Sequence, residues 1–171
     1  ERYSGNSIKN VLLPTSLSLI GESAFRNCTQ LTSIEFKEGL ENIGKNAFNG
    51  TGLTSVSFPS SLKMINDGAF CNCRMFNFKF NAGLKYIGNG AFALSSHDEK
   101  NDEIEKTLEI PASVRYIGAF AFCNRTYQDV YFYGERAPMM PVGSYENWGE
   151  ATAFDSKLLM GNSGFNPGKD W

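Results

Sequence analysis

The chain has 171 residues, of which 42% are hydrophobic and 20% charged, and its formal net charge is −2. This length supports one domain or a run of small repeats with a real core, and the composition is too apolar for a disordered chain. The near-neutral charge gives no basic footprint for phosphate binding, so we expect no nucleic-acid partner. No apolar run is long enough to span a bilayer, so we expect no transmembrane segment either.

The sequence repeats itself with a period of about 22 residues. An Ala-Phe pair occurs in register in five copies, and its phenylalanines are Phe25, Phe48, Phe70, Phe92 and Phe122. An isoleucine stands five residues before each Phe, and another aliphatic residue stands three positions before that isoleucine. Gly follows the isoleucine in four copies and Asn66 follows it in the fifth. We interpret this Gly column as a turn that needs a left-handed backbone, and the invariant Ala as a point of close approach between backbones.

Each repeat carries a second apolar group with a spacing of three and then two residues, as in Leu31-Ile34-Phe36 and Leu53-Val56-Phe58. The last two positions of this group share one side of an extended strand. Pro follows directly in three copies, and its missing N–H would end a strand there. The spacing predicts six short strands, one per turn of a coil, because stacked coils can bury apolar columns that a single unit cannot.

The unit reads L-x-x-I-G-x-x-A-F-x-x-C-x-x-L-x-x-I-x-F over residues 17–36. It resembles the BspA-like class of leucine-rich repeat, which is found on surface proteins of bacteria and of some protist parasites. The resemblance runs from Ile8 to about Phe132. It implies an α/β-type leucine-rich-repeat solenoid, a right-handed β-rich superhelix with a parallel concave sheet of about six short strands and mostly irregular or short helical convex segments. It also implies export, with localisation at the cell surface or outside the cell.

We predict a solenoid of five to six repeats over residues 1–133, with an insertion at 95–106, and a C-terminal capping segment at 134–171. The insertion is polar and carries five acidic residues against two lysines. We interpret it as a solvated loop, with a partner contact and a metal site as the alternatives, and the Gly that a calcium loop requires is missing. In the capping segment, Trp148, Phe154, Phe165 and Trp171 would cover the apolar end of the solenoid or line a sugar-binding patch. The chain begins at Glu1, which fits a removed leader or an excised segment of a longer protein.

Four cysteines fall beside the repeat phenylalanines, at Cys28, Cys71, Cys73 and Cys123. Members of one column lie two coils apart, about 10 Å at ordinary strand spacing, whereas a disulfide needs Cα atoms within roughly 7 Å. We therefore expect free thiols that act as small apolar fillers. The cysteines also lack a second clustered pair for zinc, and we predict no metal site and no cofactor.

We predict no enzymatic activity and no catalytic residue. The lone His97 sits in the acidic insertion, where no rigid scaffold would hold it against a nucleophile. The chain also has no Gly-x-Ser-x-Gly elbow.

Side chains that alternate with the buried ones along each strand should face outward and form a binding surface. The predicted partner-binding residues are Ser33, Glu35, Ser55, Ser57, Asn77, Lys79, Glu109, Asp129, Tyr131 and Tyr133. This face is polar, of mixed charge, and aromatic at its C-terminal end, which suits an extracellular protein or glycan. The predicted function is a cell-surface or secreted binding module for adhesion to a host protein or glycan. The alternative is a structural spacer or stalk that presents another domain and has no ligand of its own.

Overall fold

The computed structural model describes residues 7–75, 77–95, 105–125, 127–134 and 138–140. These residues wind as a parallel β-solenoid and contain no helix. The strands are β1 (Leu19–Ile20), β2 (Asn42–Ile43), β3 (Ser55–Ser57), β4 (Met64–Ile65), β5 (Asn77–Lys79), β6 (Tyr86–Ile87), β7 (Glu105–Ile110), β8 (Tyr116–Ile117) and β9 (Tyr127–Phe132). The solenoid class predicted from the repeat is confirmed.

A five-stranded sheet in the order β1-β2-β4-β6-β8 runs along the solenoid at the isoleucine column. We call it the isoleucine ladder, because each strand ends on the buried repeat isoleucine. Ile20 pairs with Ile43, and the isoleucines of successive strands pair in the same way along the sheet. The five strands span four turns of the coil. Beyond β8, Met139 forms a parallel bridge with Tyr116, so residues 138–140 continue the ladder. The repeat spacing did not predict this sheet.

The predicted strand positions form two further parallel pairs, β3 with β5 and β7 with β9. Four of the six predicted strands are therefore present, whereas residues 8–13 and 31–36 form no strand. Leu31 and Phe36 are nevertheless buried, as the pattern requires. A period in hydrophobicity reports which side chains face inward, and it does not dictate whether neighbouring backbones complete a hydrogen-bonded ladder.

The insertion is shorter than predicted, because β7 begins at Glu105. Glu105 pairs with Tyr127, which is the register expected from the repeat. Residues 96–104, and with them His97, lie outside the described residues, as do 141–171 of the predicted capping segment.

The core is a stack of phenylalanine rings along the solenoid axis. Phe25 and Phe48 lie 5.2 Å apart between ring centroids, and Phe48 and Phe70 also lie 5.2 Å apart, with nearly parallel planes. Phe92 and Phe122 extend the stack with centroid distances of 5.4 Å. Each ring is buried and packs on its counterparts in the neighbouring coils.

The Ala-Phe segments of successive coils are joined backbone to backbone. The N–H of Phe25 donates to the carbonyl of Ala47 at 2.7 Å, and the same bond recurs from Phe48 to Ala69 at 2.8 Å. The alanine side chains at this point are buried. The close approach predicted from the invariant Ala is confirmed.

The interpretation of the Gly column as a left-handed turn is wrong. Positive φ occurs two residues later in every copy, at Ser23, Asn46, Gly68, Gly90 and Phe120, with φ between 54° and 62°. The glycine is needed instead for space, because a Cβ at Gly44 would lie 2.7 Å from the carbonyl oxygen of Ile20. At Gly88 a Cβ would lie 2.4 Å from the backbone nitrogen of Asp67, whereas Gly21 in the first coil has nothing within 4 Å.

All four cysteines are free thiols, and Cys28 and Cys73 are buried, as predicted. The Cys73 thiol donates to the carbonyl of Phe48 at 3.0 Å and lies 3.1 Å from the hydroxyl of Thr51. Burial raises the pKa of Cys73 above its ordinary value. Cys71 and Cys123 are partly exposed, and burial raises the pKa of each of them too.

Arg125 occupies the place of these cysteines in the last copy, three residues after Phe122, and it is buried. Its Nη1 donates to the carbonyl of Met75 at 2.9 Å and its Nη2 to that of Cys73 at 2.7 Å. Its Nε donates to the carbonyl of Phe92. One guanidinium thus joins the last copy to backbone carbonyls of the two copies before it.

A polar clamp joins two coils at the surface. The Glu38 carboxylate accepts bonds from the backbone N–H and the hydroxyl of Ser60, both at 2.9 Å, and from the N–H of Ser61 at 3.2 Å. The bonds from Ser60 and Ser61 hold the pKa of Glu38 below its ordinary value.

Candidate functional site

The outward side chains of β3, β5, β7 and β9, together with those of 31–36 and Tyr133, form the surface that we call the strand face. Strand pairing places Ser55 opposite Asn77 and Ser57 opposite Lys79. Ser55, Ser57 and Lys79 are exposed, so the pairing brings predicted site residues of two coils into two adjacent rows. The side chain of Asn77 lies outside the described part of the structure.

The predicted residues of the first full repeat extend this face. Ser33 and Glu35 are exposed, and the Glu35 carboxylate forms an ion pair with Lys37. This pair sits in solvent, where it contributes little to stability, so its charges are available to a partner.

The C-terminal end of the strand face is aromatic. Tyr131 pairs with Glu109 across β7 and β9, and the side chains of Tyr131 and Tyr133 are 49% and 60% exposed. Partial desolvation and the negative charge of Glu109, to which the Tyr133 phenol hydrogen-bonds, raise the pKa of Tyr133 above its ordinary value. The side chain of Asp129 lies outside the described residues. Tyrosine beside a carboxylate offers an apolar surface and hydrogen-bonding groups in one place.

A second surface was missed from the sequence. It consists of the residues that immediately precede the repeat isoleucines and project outward from the isoleucine ladder, together with Met139, which pairs with Tyr116. We call it the ladder face, and its members are Leu19, Asn42, Met64, Tyr86, Tyr116 and Met139. Leu19, Met64 and Met139 are 52%, 37% and 70% exposed. Five of the six side chains are apolar or aromatic. Reading this column as carefully as the buried columns would have revealed it.

Tyr86 and Tyr116 stack on each other in the C-terminal half of the ladder face. Their ring centroids lie 4.8 Å apart and their planes differ by 4°. Desolvation, followed by the nearby negative charge of Asp67, raises the pKa of Tyr86, so its phenol stays protonated and can donate a hydrogen bond at neutral pH.

The described residues show no group of three or more His, Cys, Asp or Glu side chains that could hold a metal ion. Nor do they include a helix long and apolar enough to cross a membrane. The chemistry that both faces offer is recognition through hydrogen bonds, charge and apolar contact.

Comparison with known families bears directly on the repeat. A family model described as BspA type leucine rich repeat region matches residues 1–101 in six copies. The chain belongs to this family. In this BspA-type chain the structure carries the repeat further, because β8 and β9 keep the register of the earlier coils as far as Phe132. No curated protein gives a significant match.

Membership in the BspA-type family indicates a protein-binding or structural module built from repeats, in a solenoid class that is typically a non-catalytic scaffold. Solenoids present extended surfaces because each coil repeats the outward positions of the last. The strand face and the ladder face are two such surfaces.

Proposed function

We propose that the protein is a cell-surface or secreted binding module that holds an extracellular protein or glycan on its strand face, with adhesion as the outcome. The observation that carries the proposal is the aromatic end of that face, where exposed Tyr131 and Tyr133 stand beside Glu109. Exposed tyrosines are frequent anchors in interfaces, since they bury a large area at a low cost in conformational entropy. The family, whose members are commonly surface-associated, supports the localisation.

The polar rows of β3 and β5 support the same function. Ser55, Ser57 and Lys79 face outward, and short hydroxyls beside a single ammonium group suit a partner that is hydrogen-bonded at many points. The mixed charge argues against a nucleic-acid partner, which would need a basic stripe.

The alternative function is a spacer that holds another domain away from a surface. It is favoured by the continuous hydrogen bonding between coils, in which the isoleucine ladder and the Ala-Phe segments each join every repeat to the next. Bonding of this kind stiffens the solenoid along its axis whether or not a ligand binds.

The proposed organisation is a solenoid over 1–133 with a capping segment over 134–171. The bridge from Tyr116 to Met139 supports it, because it places the chain just after the solenoid alongside the last strand of the isoleucine ladder. A covered end protects the apolar columns of the last coil from water.

The test separates binding from spacing. The triple variant E35K, K79E, E109K and the double variant Y131S, Y133S are compared with wild type on a glycan array and on immobilised extracellular-matrix proteins. We expect both variants to lose most of the wild-type signal while their circular dichroism and melting temperature stay near those of wild type.

The matched control is Glu22→Lys, which changes the net charge by the same amount as the triple variant at an exposed position off the strand face. It should bind as wild type does. Binding that neither strand-face variant reduces would show that the strand face is not the ligand site. If wild type binds nothing but still holds a fused domain away from a surface, the spacer function is the correct one.

A further inference from the structure

The ladder face is a mostly apolar row in which Leu19, Met64 and Met139 are exposed and the other side chains are half-buried. Its six side chains lie on adjacent parallel strands at about 4.8 Å per step, so the row from Leu19 to Met139 is roughly 24 Å long. Large exposed apolar surfaces on soluble domains commonly mark interaction sites. Because residues 138–140 extend the row at its C-terminal end, the face continues across the start of the proposed cap.

One flank of this row carries three cations and one carboxylate, Glu41, which precedes Asn42. The residues immediately before Met64, Tyr86 and Tyr116 are Lys63, Lys85 and Arg115, and all three are exposed. Lys63 already pairs with Glu41, at 2.6 Å between Nζ and Oε1.

The other two cations of this flank remain available. Neither Lys85 nor Arg115 has a carboxylate within 4 Å in the part of the chain that the structure describes. Arg115 is held in place by a bond from Nη1 to the carbonyl of Ala112 at 2.6 Å. The carboxylate of Asp67 lies near enough to Tyr86 to contribute to the raised pKa of that residue.

The geometry of the tyrosines decides between a sugar and a protein as the occupant. A sugar ring stacks on an open aromatic face, but the rings of Tyr86 and Tyr116 stack on each other. They present edges and hydroxyl groups outward, with methionines before and after them in the row. Edges, methyl groups and thioethers suit apolar side chains of a protein.

The spacing of the row favours a helix. An α-helix advances 5.4 Å per turn, close to the roughly 4.8 Å step of the row, so one apolar side chain per turn can meet each step. An extended strand places side chains of one face about 6.7 Å apart and falls out of step sooner. A row of roughly 24 Å corresponds to about 16 helical residues.

We propose that the ladder face binds an amphipathic α-helix of a partner protein, about four turns long, whose apolar stripe lies on the Met64–Tyr86–Tyr116 row and whose carboxylates lie along one flank against Lys85 and Arg115. This interaction is separate from the strand face. The carboxylates belong on that flank because it holds Lys85 and Arg115, neither of which forms an ion pair within the described residues.

The test uses a displayed library of random 16-residue peptides, selected on the wild-type protein and then measured as synthetic peptides by fluorescence anisotropy. We expect selected peptides to carry apolar residues at alternating spacings of three and four, with acidic residues concentrated on one side of that stripe. Charge reversal in K85E, R115E should weaken their binding about tenfold. The double variant Y86S, Y116S should weaken it by about a hundredfold or more.

Two controls distinguish a loss of binding at the ladder face from unfolding and from binding at the strand face. The K85E, R115E variant changes only exposed side chains, and its circular dichroism and melting temperature show whether a loss of binding reflects unfolding. The strand-face triple variant E35K, K79E, E109K should bind the selected peptides as wild type does, which separates this inference from the proposed function.

Several outcomes overturn the proposal. These are a library that yields no binder, binders without an acidic bias, and binding that survives Y86S, Y116S. Heparin binding that is abolished in K85E, R115E would also overturn it, because the basic flank would then bind a glycan. Self-association in sedimentation equilibrium that is abolished in Y86S, Y116S would overturn it as well, because the ladder face would then bind a second copy of the chain.

Discussion

Replacing Arg125 with Met keeps a long unbranched side chain with an apolar stem but removes all the hydrogen-bond donors of the guanidinium group. In the wild type this group donates to the carbonyls of Cys73, Met75 and Phe92 inside the solenoid. The side chain is buried, so water cannot easily take over these bonds in the variant. The change therefore leaves three carbonyl oxygens without this donor.

The magnitude follows from those bonds. Hydrogen bonds from a charged donor contribute about 1.5–3 kcal/mol each, and the desolvation of the guanidinium offsets part of their sum. We expect Arg125→Met to reduce the free energy of unfolding by about 3–5 kcal/mol, because three buried carbonyl acceptors lose this donor at about 1–3 kcal/mol each, less what is recovered by not burying the charge. Arg125→Ala should cost more, because it also leaves a cavity. Arg125→Lys should fall between wild type and Met, since one ammonium cannot reach all three carbonyls with the geometry of a fork.

The assay is equilibrium unfolding in urea followed by tyrosine and tryptophan fluorescence, with the m-value checked for constancy. The control is Arg26→Met, an exposed arginine next to Phe25, for which we expect a change within about 0.5 kcal/mol. If Arg125→Met costs less than about 1 kcal/mol, or stabilises the protein as some apolar replacements of buried charges do, the guanidinium does not hold the copies together.

Phe48→Ala removes a ring from the middle of the stack and should cost about 3–5 kcal/mol; a loss under about 1 kcal/mol in urea would contradict the stacked core. Gly88→Ala should lower the melting temperature strongly, because its Cβ would collide with the backbone of the preceding coil, whereas Gly21→Ala should be nearly neutral. Equal effects would show that lack of room for a side chain does not explain the Gly column. A Cβ at Gly90 would make only an ordinary contact with Ala93, at 3.9 Å, but its φ is 58°, so we expect Gly90→Ala to cost about 1–2 kcal/mol from backbone strain, measured in the same melts. Glu38→Gln should lower the melting temperature at neutral pH. The difference in melting temperature between wild type and variant should vanish as the pH falls through the depressed pKa of Glu38, because the carboxylate stabilises the fold only while it is charged. A difference that persists in acid would refute the clamp.

Burial was the part of the fold that the sequence could predict. The isoleucine, alanine and phenylalanine columns recur in one register, and residues such as Ile43, Ala47 and Phe48 are buried as expected. A repeat that must stack on itself imposes the same residue type at the same position in every coil, so a single sequence contains several independent samples of each buried site.

Backbone geometry was harder to predict, because different residues satisfy the same requirement. The left-handed position is occupied by Ser23, Asn46, Gly68, Gly90 and Phe120, and no single residue type marks it. The Gly column looked like such a turn, but its cause is the approach of the preceding coil, as the contact between Gly44 and Ile20 shows. Conformational freedom and lack of volume both select glycine, and sequence alone does not separate them.

Arg125 was missed for a related reason. It stands in the cysteine column, where Cys28 and Cys73 are small apolar fillers, so its position predicts burial while its charge predicts exposure. The conflict could have marked it as a special site. The identity of the three carbonyls that it binds depends on how the copies stack, and that information is not local in the sequence.

The two faces follow from the same property of the repeat. Positions that the stack buries are held to one residue type, whereas an outward position is free, so the residues found there reflect what the surface contacts. On the strand face that freedom gave mostly hydroxyls and charges such as Ser57, Lys79 and Glu109. On the ladder face it gave Met64, Tyr86 and Tyr116, although a serine or threonine would fit an exposed strand without the aggregation risk of an apolar row. Because the apolar choice recurs on consecutive strands and is matched by a basic flank, a protein partner accounts for it better than solvent does.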